Sequence, residues 1–586
     1  MKITLAETAG FCWGVQRAVD IVLDVSKKSG KPVFTHGPLI HNNQVLEELE
    51  SKKIHEYKSG DIGSNTLVVR AHGIRPEVLD ELKSKHKNVV DATCPLVTKV
   101  HRAIKKHQDQ NFQVFIMGNE KHPEVVGLLG ASKDRAIVIR DAIAAREYPQ
   151  TFDKICLVSQ TTQNDDDFEA TARELKLKCK EFKAVNTICE PTRSHQIEVV
   201  DLALNNDLVI VVGGKHSSNT VHLKEVAERQ GTRAIHIETE AELKKEDLLG
   251  VEKVGVTAGA STPQWMIQKV IDKLESFEEA NKSLLYKFSK FILNTLVSTN
   301  LFTTTAFASI YLGNHIVSKT PVDYNFFWSV ISIVFALHSI NQFSLEGKFD
   351  RRSKLTPKVY EFVRKLISWF SFLLLFFGVS FGFYSSSIGS DLKGFGIILF
   401  SALCGVLYGW KIIPINWISR FGFSSIRDLP ASKDLSVSFG WTLLSCGVPL
   451  AYSSGNLSPV WFLLIPFIFF IVYIRSAILG VRDAQGDRIV GIESSFKALG
   501  KNRSKKLVFS LIGASVLISL CLFLPFFGVS PVFGFLMLTI TFVSGIIAHL
   551  YFQRILPAND LGHFLLDSQF VLPVFLYGIL KLLGYA

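Results

Sequence analysis

Three cysteines stand far apart in the chain in similarly built segments: AGFCWGV around Cys12, DATCPLV around Cys94 and NTICEPT around Cys189. Each follows a short strand-like stretch. Three thiolates suit an iron–sulfur cluster in which one iron lacks a protein ligand and is open to substrate. Structural zinc takes four protein ligands, usually in close Cys-x-x-Cys or His pairs, and neither pairing is present. Taken singly, each of these thiols is more often core than ligand, because free cysteine is among the most buried residue types. Cys156, Cys179, Cys404, Cys446 and Cys521 show no paired spacing and read as packing residues. A reducing compartment argues against disulfides among them.

Six β-rich runs must position the remaining candidates. KPVFTHG, TLVVRAHG, QVFIMG, KICLVSQTT, DLVIVVGG and KVGVTAG are each followed by a polar loop and an amphipathic stretch, the pattern of an α/β fold with parallel sheets. Ligands in such folds collect outside the carboxyl ends of the strands. His36 and His41 follow the first run, His72 the second, His122 and Glu124 the third, Thr161 and Thr162 the fourth. Ser217, Ser218 and Asn219 follow the fifth, and Ser261 the sixth. One histidine after a strand is more often structural than functional, but a polar cluster after nearly every strand asks for a common ligand. Ser-Ser-Asn-Thr at 217–220 and Ser261-Thr262-Pro263 are N-cap sequences, where hydroxyls and free backbone N–H groups suit phosphate. Either serine motif alone reads better as simple helix capping; together with the histidines they point to an anion held beside the cluster.

The segments FCWGV, GPLIHN, RAHGI, DATCPLV, KHPEVVG, SQTT, TICEPT, SSNT and TAGASTP, spread over residues 1–275, resemble 4-hydroxy-3-methylbut-2-enyl diphosphate reductases. The resemblance implies a three-lobed α/β fold around a [4Fe–4S] cluster held by Cys12, Cys94 and Cys189. It implies that His41, His72, His122, Ser217, Ser218, Asn219 and Ser261 bind the substrate's diphosphate, that Thr161 lies near its hydroxyl and that Glu124 delivers protons. The reaction it implies removes that hydroxyl as water and yields isopentenyl or dimethylallyl diphosphate, with electrons from a small carrier such as ferredoxin or flavodoxin. The residue types agree with this, because reductive cleavage of an allylic C–O bond needs a one-electron donor at the oxygen, which side chains do not provide. Two departures from the family pattern are visible: His216 stands before Ser-Ser-Asn where an amide residue is expected, and His195 before Gln196 where arginine is common.

The second half is unlike the first. Phe makes up 45 of 586 residues, concentrated beyond about residue 290, and mean hydropathy is +0.25 although 20% of residues are charged. Nine apolar stretches, roughly 291–312, 325–342, 364–384, 393–413, 435–453, 459–479, 507–528, 531–552 and 565–584, come near the ~20 residues that cross a bilayer as a helix. The connections after the second and sixth stretches carry Lys348, Arg351, Arg352, Lys354 and Lys358, and Arg482, Arg488, Lys497, Lys501, Arg503, Lys505 and Lys506. Those after the third, fifth and seventh hold Lys393 or no basic residue. Positive residues stay inside, so even-numbered connections and the N-terminus are expected in the cytoplasm and the C-terminus outside. Residues 1–20 place Glu7 in their one apolar stretch and show no export signal. The net charge of +11 is thus a topology signal, and no basic–aromatic stripe suggests nucleic acid as a partner.

Two acidic pairs stand near cytoplasmic ends of these stretches: Glu346 and Asp350 after Asn341, and Asp483 and Asp487 before Arg488. A spacing of four places two carboxylates on one helix face, where they could hold Mg²⁺ against a diphosphate. A solvated loop with balanced charges explains the first pair nearly as well. The arrangement resembles the UbiA-type intramembrane prenyltransferases, with RDAQGDRIVGIESSFKALG at 482–500 matching their second acidic motif. The first motif departs: Gln342 follows Asn341, and the spacing to Glu346 and Asp350 is altered. This resemblance implies Mg²⁺-assisted loss of diphosphate from a prenyl donor and attack by a lipophilic acceptor, with Asn341 and Arg488 as further substrate contacts.

The expected organisation is therefore a reductase domain over 1–278, a helical linker over 279–290 and an all-α polytopic membrane domain over 291–586. A membrane half that serves as a silent anchor or lipid-binding module is the alternative. A transporter with a redox sensor would need charges near the middles of several spans, and few are seen.

Overall fold

The computed structural model describes residues 1–29, 31–58, 65–279, 283–345, 357–389, 392–408, 426, 429, 431–452, 458–490, 495–553 and 560–582. They divide into two compact units, Met1–Asn281 and Lys282–Ala586.

The first unit is built from three four-stranded sheets. In chain order the strands are β1 (Lys2–Leu5), β2 (Val33–His36), β3 (Ile54–Tyr57), β4 (Thr66–Val69), β5 (Val89–Asp91), β6 (Gln113–Met117), β7 (Ile137–Ile139), β8 (Phe152–Ser159), β9 (Cys179–Ala184), β10 (Leu208–Val212), β11 (Arg233–Ile237) and β12 (Lys253–Ala258). The sheet orders are β1-β12-β10-β11, β3-β2-β4-β5 and β7-β6-β8-β9, and every pairing is parallel. Parallel pairing requires crossovers, and helices supply most of them. Buried runs such as LVIVV are apolar throughout, and TLVV nearly so, as expected of strands covered on both faces.

The chain passes from one sheet to the next three times. The helix Trp13–Ser29 leads from β1 to β2, Pro95–Gln108 from β5 to β6, and Glu190–Asn205 from β9 to β10. Each departs from an edge strand.

The second unit is helical among its described residues. Among the described residues, six of its helices are long and apolar enough to cross a membrane: Lys365–Ser387, Ser432–Tyr452, Trp461–Gly480, Asn502–Cys521, Pro531–Phe552 and Leu561–Leu582; Lys393–Leu407 is a shorter apolar helix. Among the described residues this measure finds six, so the expected count of nine is not confirmed. The expected first span, 291–312, is broken: helix Leu284–Ser298 ends at Thr299, and Leu301–Ser318 starts after Asn300. Asn300 has φ +60°, a left-handed conformation that asparagine tolerates better than most residues. The expected second span lies within the helix Tyr324–Leu345. In the span Ser432–Tyr452 a π-helical turn at Leu443–Gly447 interrupts the regular ladder, and Asn314 Nδ2 donates to the Ser445 carbonyl at 3.1 Å.

Candidate active site

All three candidate cluster ligands stand at the inter-sheet crossovers. Cys12 immediately precedes the helix Trp13–Ser29, and Cys94 and Cys189 are the N-caps of Pro95–Gln108 and Glu190–Asn205. Proline at the first turn of the latter two costs no hydrogen bond there, and the positive ends of all three helices favour thiolate over thiol. The cysteines are near one another: a Cβ added to Gly14 would lie 2.6 Å from Cys94 Sγ and 3.9 Å from Cys12 Sγ. Burial pushes the Cys12 thiol up to about 11, and Cys189 and Cys94 act on it in the same direction. Cys189 is likewise raised, chiefly by burial, although Thr192 Oγ1 lies 3.0 Å from its sulfur. Coordination to a metal would relieve this by holding the sulfurs deprotonated.

The donor set fits a cluster better than a single ion. Among the described residues, the set of three ligating atoms all within 4.8 Å of one another is His41, His72 and His122, so the three sulfurs do not all close to that distance. Thiolates sharing one tetrahedral zinc stand about 4 Å apart, given Zn–S bonds of about 2.3 Å; thiolates on separate irons stand wider. The close approach at Gly14 leaves no room for a side chain where the sulfurs converge.

The other candidates follow the two inner strands of each sheet. His41 lies beyond β2, His72 beyond β4, His122 and Glu124 beyond β6, Thr161 beyond β8, Ser217 to Asn219 beyond β10 and Ser261 beyond β12. The histidines meet: ring centroids are 4.4 Å apart for His41–His72, 5.5 Å for His41–His122 and 5.7 Å for His72–His122. Burial is the largest cause holding all three below the ordinary histidine pKa, His122 at about 4 and His72 well below its usual value. They are therefore neutral near pH 7. His122 Nδ1 accepts from the Glu124 N–H at 3.1 Å, which leaves the ring proton on Nε2 as a donor. His41 Nε2 and His72 Nδ1 are buried without partners.

Ser261 Oγ donates to the His41 carbonyl at 3.1 Å, joining the first sheet's loop to the histidines. Ser218 Oγ stands 3.2 Å from Thr162 Oγ1 and 3.4 Å from Gln160 Nε2. Ser217 caps the helix Ser218–Arg229 by position, yet its side chain makes no capping bond, so simple capping does not account for it. Asn219 is buried with both side-chain polar atoms unpartnered. A pocket that leaves this many buried polar groups open is built for a polar ligand.

Glu124 is buried, and its carboxylate accepts from Thr161 N at 2.7 Å and Thr161 Oγ1 at 2.9 Å. Burial raises its pKa to about 7 against the opposing effect of these two bonds. A carboxyl poised near neutrality can hold a proton and give it up.

Arg70 escaped the sequence reading, although it stands two residues before His72. Its charge acts on His41, His72 and His122 and opposes binding of a second cation by them. Of the two departures from the family pattern, His195 is buried with Nδ1 unpartnered, and His216 is exposed.

In the second unit, Asp483, Asp487 and Arg488 all lie on the continuous helix Trp461–Val490, and Asn341 is half-buried on Tyr324–Leu345. Glu346 and Asp350 lie outside the described residues. Two mid-span charges that the sequence reading passed over do meet: Arg475 is ion-paired with Asp567, both fully buried. Thr303 Oγ1 donates to Asp567 Oδ2 at 2.7 Å, and the Arg475 guanidinium lies over the Trp441 ring at 5.2 Å. Trp441 Nε1 in turn donates to His338 Nε2 at 3.0 Å.

Residues 3–275 match the family model described as LytB protein. A 4-hydroxy-3-methylbut-2-enyl diphosphate reductase of Clostridium perfringens is 40% identical over 281 residues, covering 47% of this chain and 98% of the relative. A solved structure of (E)-4-hydroxy-3-methyl-but-2-enyl diphosphate reductase, described as the terminal enzyme of the non-mevalonate pathway, is 36% identical, with TM-score 0.37, and covers 47% of this chain and all of the other. A UbiA homologue from Archaeoglobus fulgidus, solved with DMAPP and Mg²⁺, is 13% identical, with TM-score 0.33, covering 48% of this chain and 98% of the other. On the strength of the curated relative, matched almost end to end, the chain belongs to the 4-hydroxy-3-methylbut-2-enyl diphosphate reductase (LytB) family.

Proposed function

We propose that the chain is a bifunctional isoprenoid protein. Its first unit reduces 4-hydroxy-3-methylbut-2-enyl diphosphate to isopentenyl and dimethylallyl diphosphate, and its membrane unit carries out Mg²⁺-dependent prenyl transfer to a lipophilic acceptor. The observation that supports the first activity best is the convergence of Cys12, Cys94 and Cys189 at three crossovers, beside a buried pocket of neutral histidines and open polar groups.

A [4Fe–4S] cluster held by the three cysteines would supply electrons one at a time. His41, His72 and His122, with Ser217, Ser218, Asn219 and Ser261, hold the diphosphate by hydrogen bonds from uncharged donors. Thr161 orients the substrate hydroxyl, and Glu124 passes a proton through it. Two electrons from a reduced carrier such as ferredoxin or flavodoxin and two protons enter. One proton leaves with the hydroxyl as water, and the other ends on the allylic carbon framework. The buried site keeps bulk water from the carboxyl, and that same burial raises Glu124 into the working range.

For the membrane unit, support comes from Asp483 and Asp487, one turn apart on the helix Trp461–Val490, and from an apolar cavity lined by Ile310, Val317, Leu464, Phe467, Met537 and Phe570 that suits a hydrocarbon chain. The cytoplasmic side would hold the first unit and the acidic helix ends. Purified full-length protein should bind a polyprenyl diphosphate only with Mg²⁺, because the metal offsets repulsion between carboxylates and phosphates, and Asp487→Asn should weaken that dependence. Glu346→Gln should have the smaller effect, given the altered first motif. Binding indifferent to Mg²⁺ and to both substitutions would leave the membrane unit as an anchor.

A further inference from the structure

Arg70 follows β4 directly, and the structure places its guanidinium where the histidine loops leave their sheet. β2 and β4 are paired with His36 opposite Val69, so Gly37 and Arg70 depart from the sheet side by side. Gly37 has φ +75°, and a Cβ there would stand 2.6 Å from Arg70 Nη1, so the guanidinium lies against a surface only glycine leaves bare. The two loops are tied by Ala71 N donating to the Leu39 carbonyl at 3.3 Å, which fixes His41 and His72 on either side of this contact. Arg70 Nε is buried without a hydrogen-bond partner. Arg70's charge acts on His36, His41, His72 and His122, each held below its ordinary pKa first by burial and further by this neighbour. Exposed Glu56, on β3, acts on Arg70 in the opposite sense to burial.

A half-buried guanidinium whose Nε is buried and unpartnered is costly unless an anion meets it. The histidines around it are neutral and can offer hydrogen bonds but no charge. We propose that Arg70 is the permanent cation of the diphosphate site, the group that makes the pocket select a doubly or triply charged phosphate ester over an uncharged allylic alcohol. A planar guanidinium suits phosphate oxygens, and its constant charge leaves the neighbouring imidazoles free to remain neutral donors. This inference rests on reading the pocket as a diphosphate site.

The test is titration of anaerobically purified full-length holoenzyme with inorganic pyrophosphate, in wild type, Arg70→Gln and Arg70→Lys, with cluster absorbance recorded for each. Wild type should bind. Arg70→Gln should bind at least about tenfold more weakly, the low end for hydrogen bonds to charged groups, with absorbance unchanged, and KM for the substrate should rise more than kcat falls. Arg70→Lys, which keeps the charge, should recover most of the loss. Wild-type affinity in Arg70→Gln overturns the role of Arg70 while leaving the diphosphate reading intact. Loss of absorbance together with binding in both variants makes the residue structural and also overturns the proposal. A wild-type protein that ignores pyrophosphate overturns the diphosphate reading itself.

Discussion

The backbone N–H of Cys189 donates to the carbonyl of Thr161 at 3.0 Å, so a candidate cluster ligand is bonded to the residue whose amide and hydroxyl hold Glu124. The relationship recurs in the other two sheets. Cys12 N donates to the Ala260 carbonyl at 3.0 Å, next to Ser261, and Cys94 N to the Ala71 carbonyl at 2.9 Å, next to His72. Each candidate ligand is thus locked to the backbone of a candidate substrate loop, so that under the proposed function electron and proton delivery would share one rigid frame. Such support is what holds a reacting group in register with its donors.

Glu124→Gln keeps shape and hydrogen-bonding capacity but removes the titratable proton. With the folded carboxyl at about 7 against an ordinary 4.5, the protonated form is present below neutrality and lost as pH rises through 7. Wild-type kcat/KM should therefore fall on the alkaline side of about pH 7. The variant should lose at least ~10²-fold in turnover and that limb of the profile, with cluster absorbance intact. The same shift means that this group's contribution to stability declines as pH rises from about 4.5 to 7, because the folded state binds the proton more tightly. The variant should lack that decline in pH-dependent thermal unfolding.

Gly14→Ala tests the convergence of the sulfurs. Alanine is the better helix former, yet its Cβ would stand 2.6 Å from Cys94 Sγ. The variant should fold and contain less iron than wild type after anaerobic reconstitution, as measured by iron content per chain.

Cys94→Ser should remove the brown absorbance and reductase activity together. Cys156 lies in the core between β6 and β9 on β8, fully buried, with burial pushing its thiol up to about 12. Cys156→Ser should therefore keep both, while lowering thermal stability because a hydroxyl replaces a packed thiol. A full, active cluster in Cys94→Ser would refute the ligand assignment.

In the membrane unit, Asp567→Leu strands the Arg475 charge among apolar helices. Removing one partner of a buried pair costs about 3–5 kcal/mol, so the apparent Tm in detergent should drop by several degrees. Arg475→Met with Asp567→Leu should recover most of it, since no lone charge remains. An unchanged Tm in the single variant would show that water reaches the guanidinium.

If nine stretches cross, as proposed, the basic connections after the second and sixth place the N-terminus inside and the C-terminus outside. A reporter fused after Ala586 should read as external and one fused before Met1 as cytoplasmic. A cytoplasmic reading at Ala586 would mean an even number of crossings.

What the residues alone made legible was set by burial. β4, β6, β8 and β10 are apolar runs buried over most of their length, so they stand out in the sequence. The polar clusters at the ends of the six inner strands stand out with them. The edge strands β1, β3, β5, β7, β9 and β11 are short or half exposed, as in CKEFKA with two of six residues half-buried and four exposed. Half-exposed strands carry no continuous apolar signal, and no period marks where an edge lies. The resemblance to the reductases rested on local motifs, which survive in one dimension. Tertiary structure decided that Cys12, Cys94 and Cys189 follow one edge strand of each sheet at the crossovers to the next, because sheet membership depends on long-range pairing that no local segment encodes. It also brought Arg70 over Gly37 and Arg475 to Asp567, pairs 33 and 92 residues apart. A long side chain is informative only once its neighbours are known, and the free energy of burying a charge depends on what it meets.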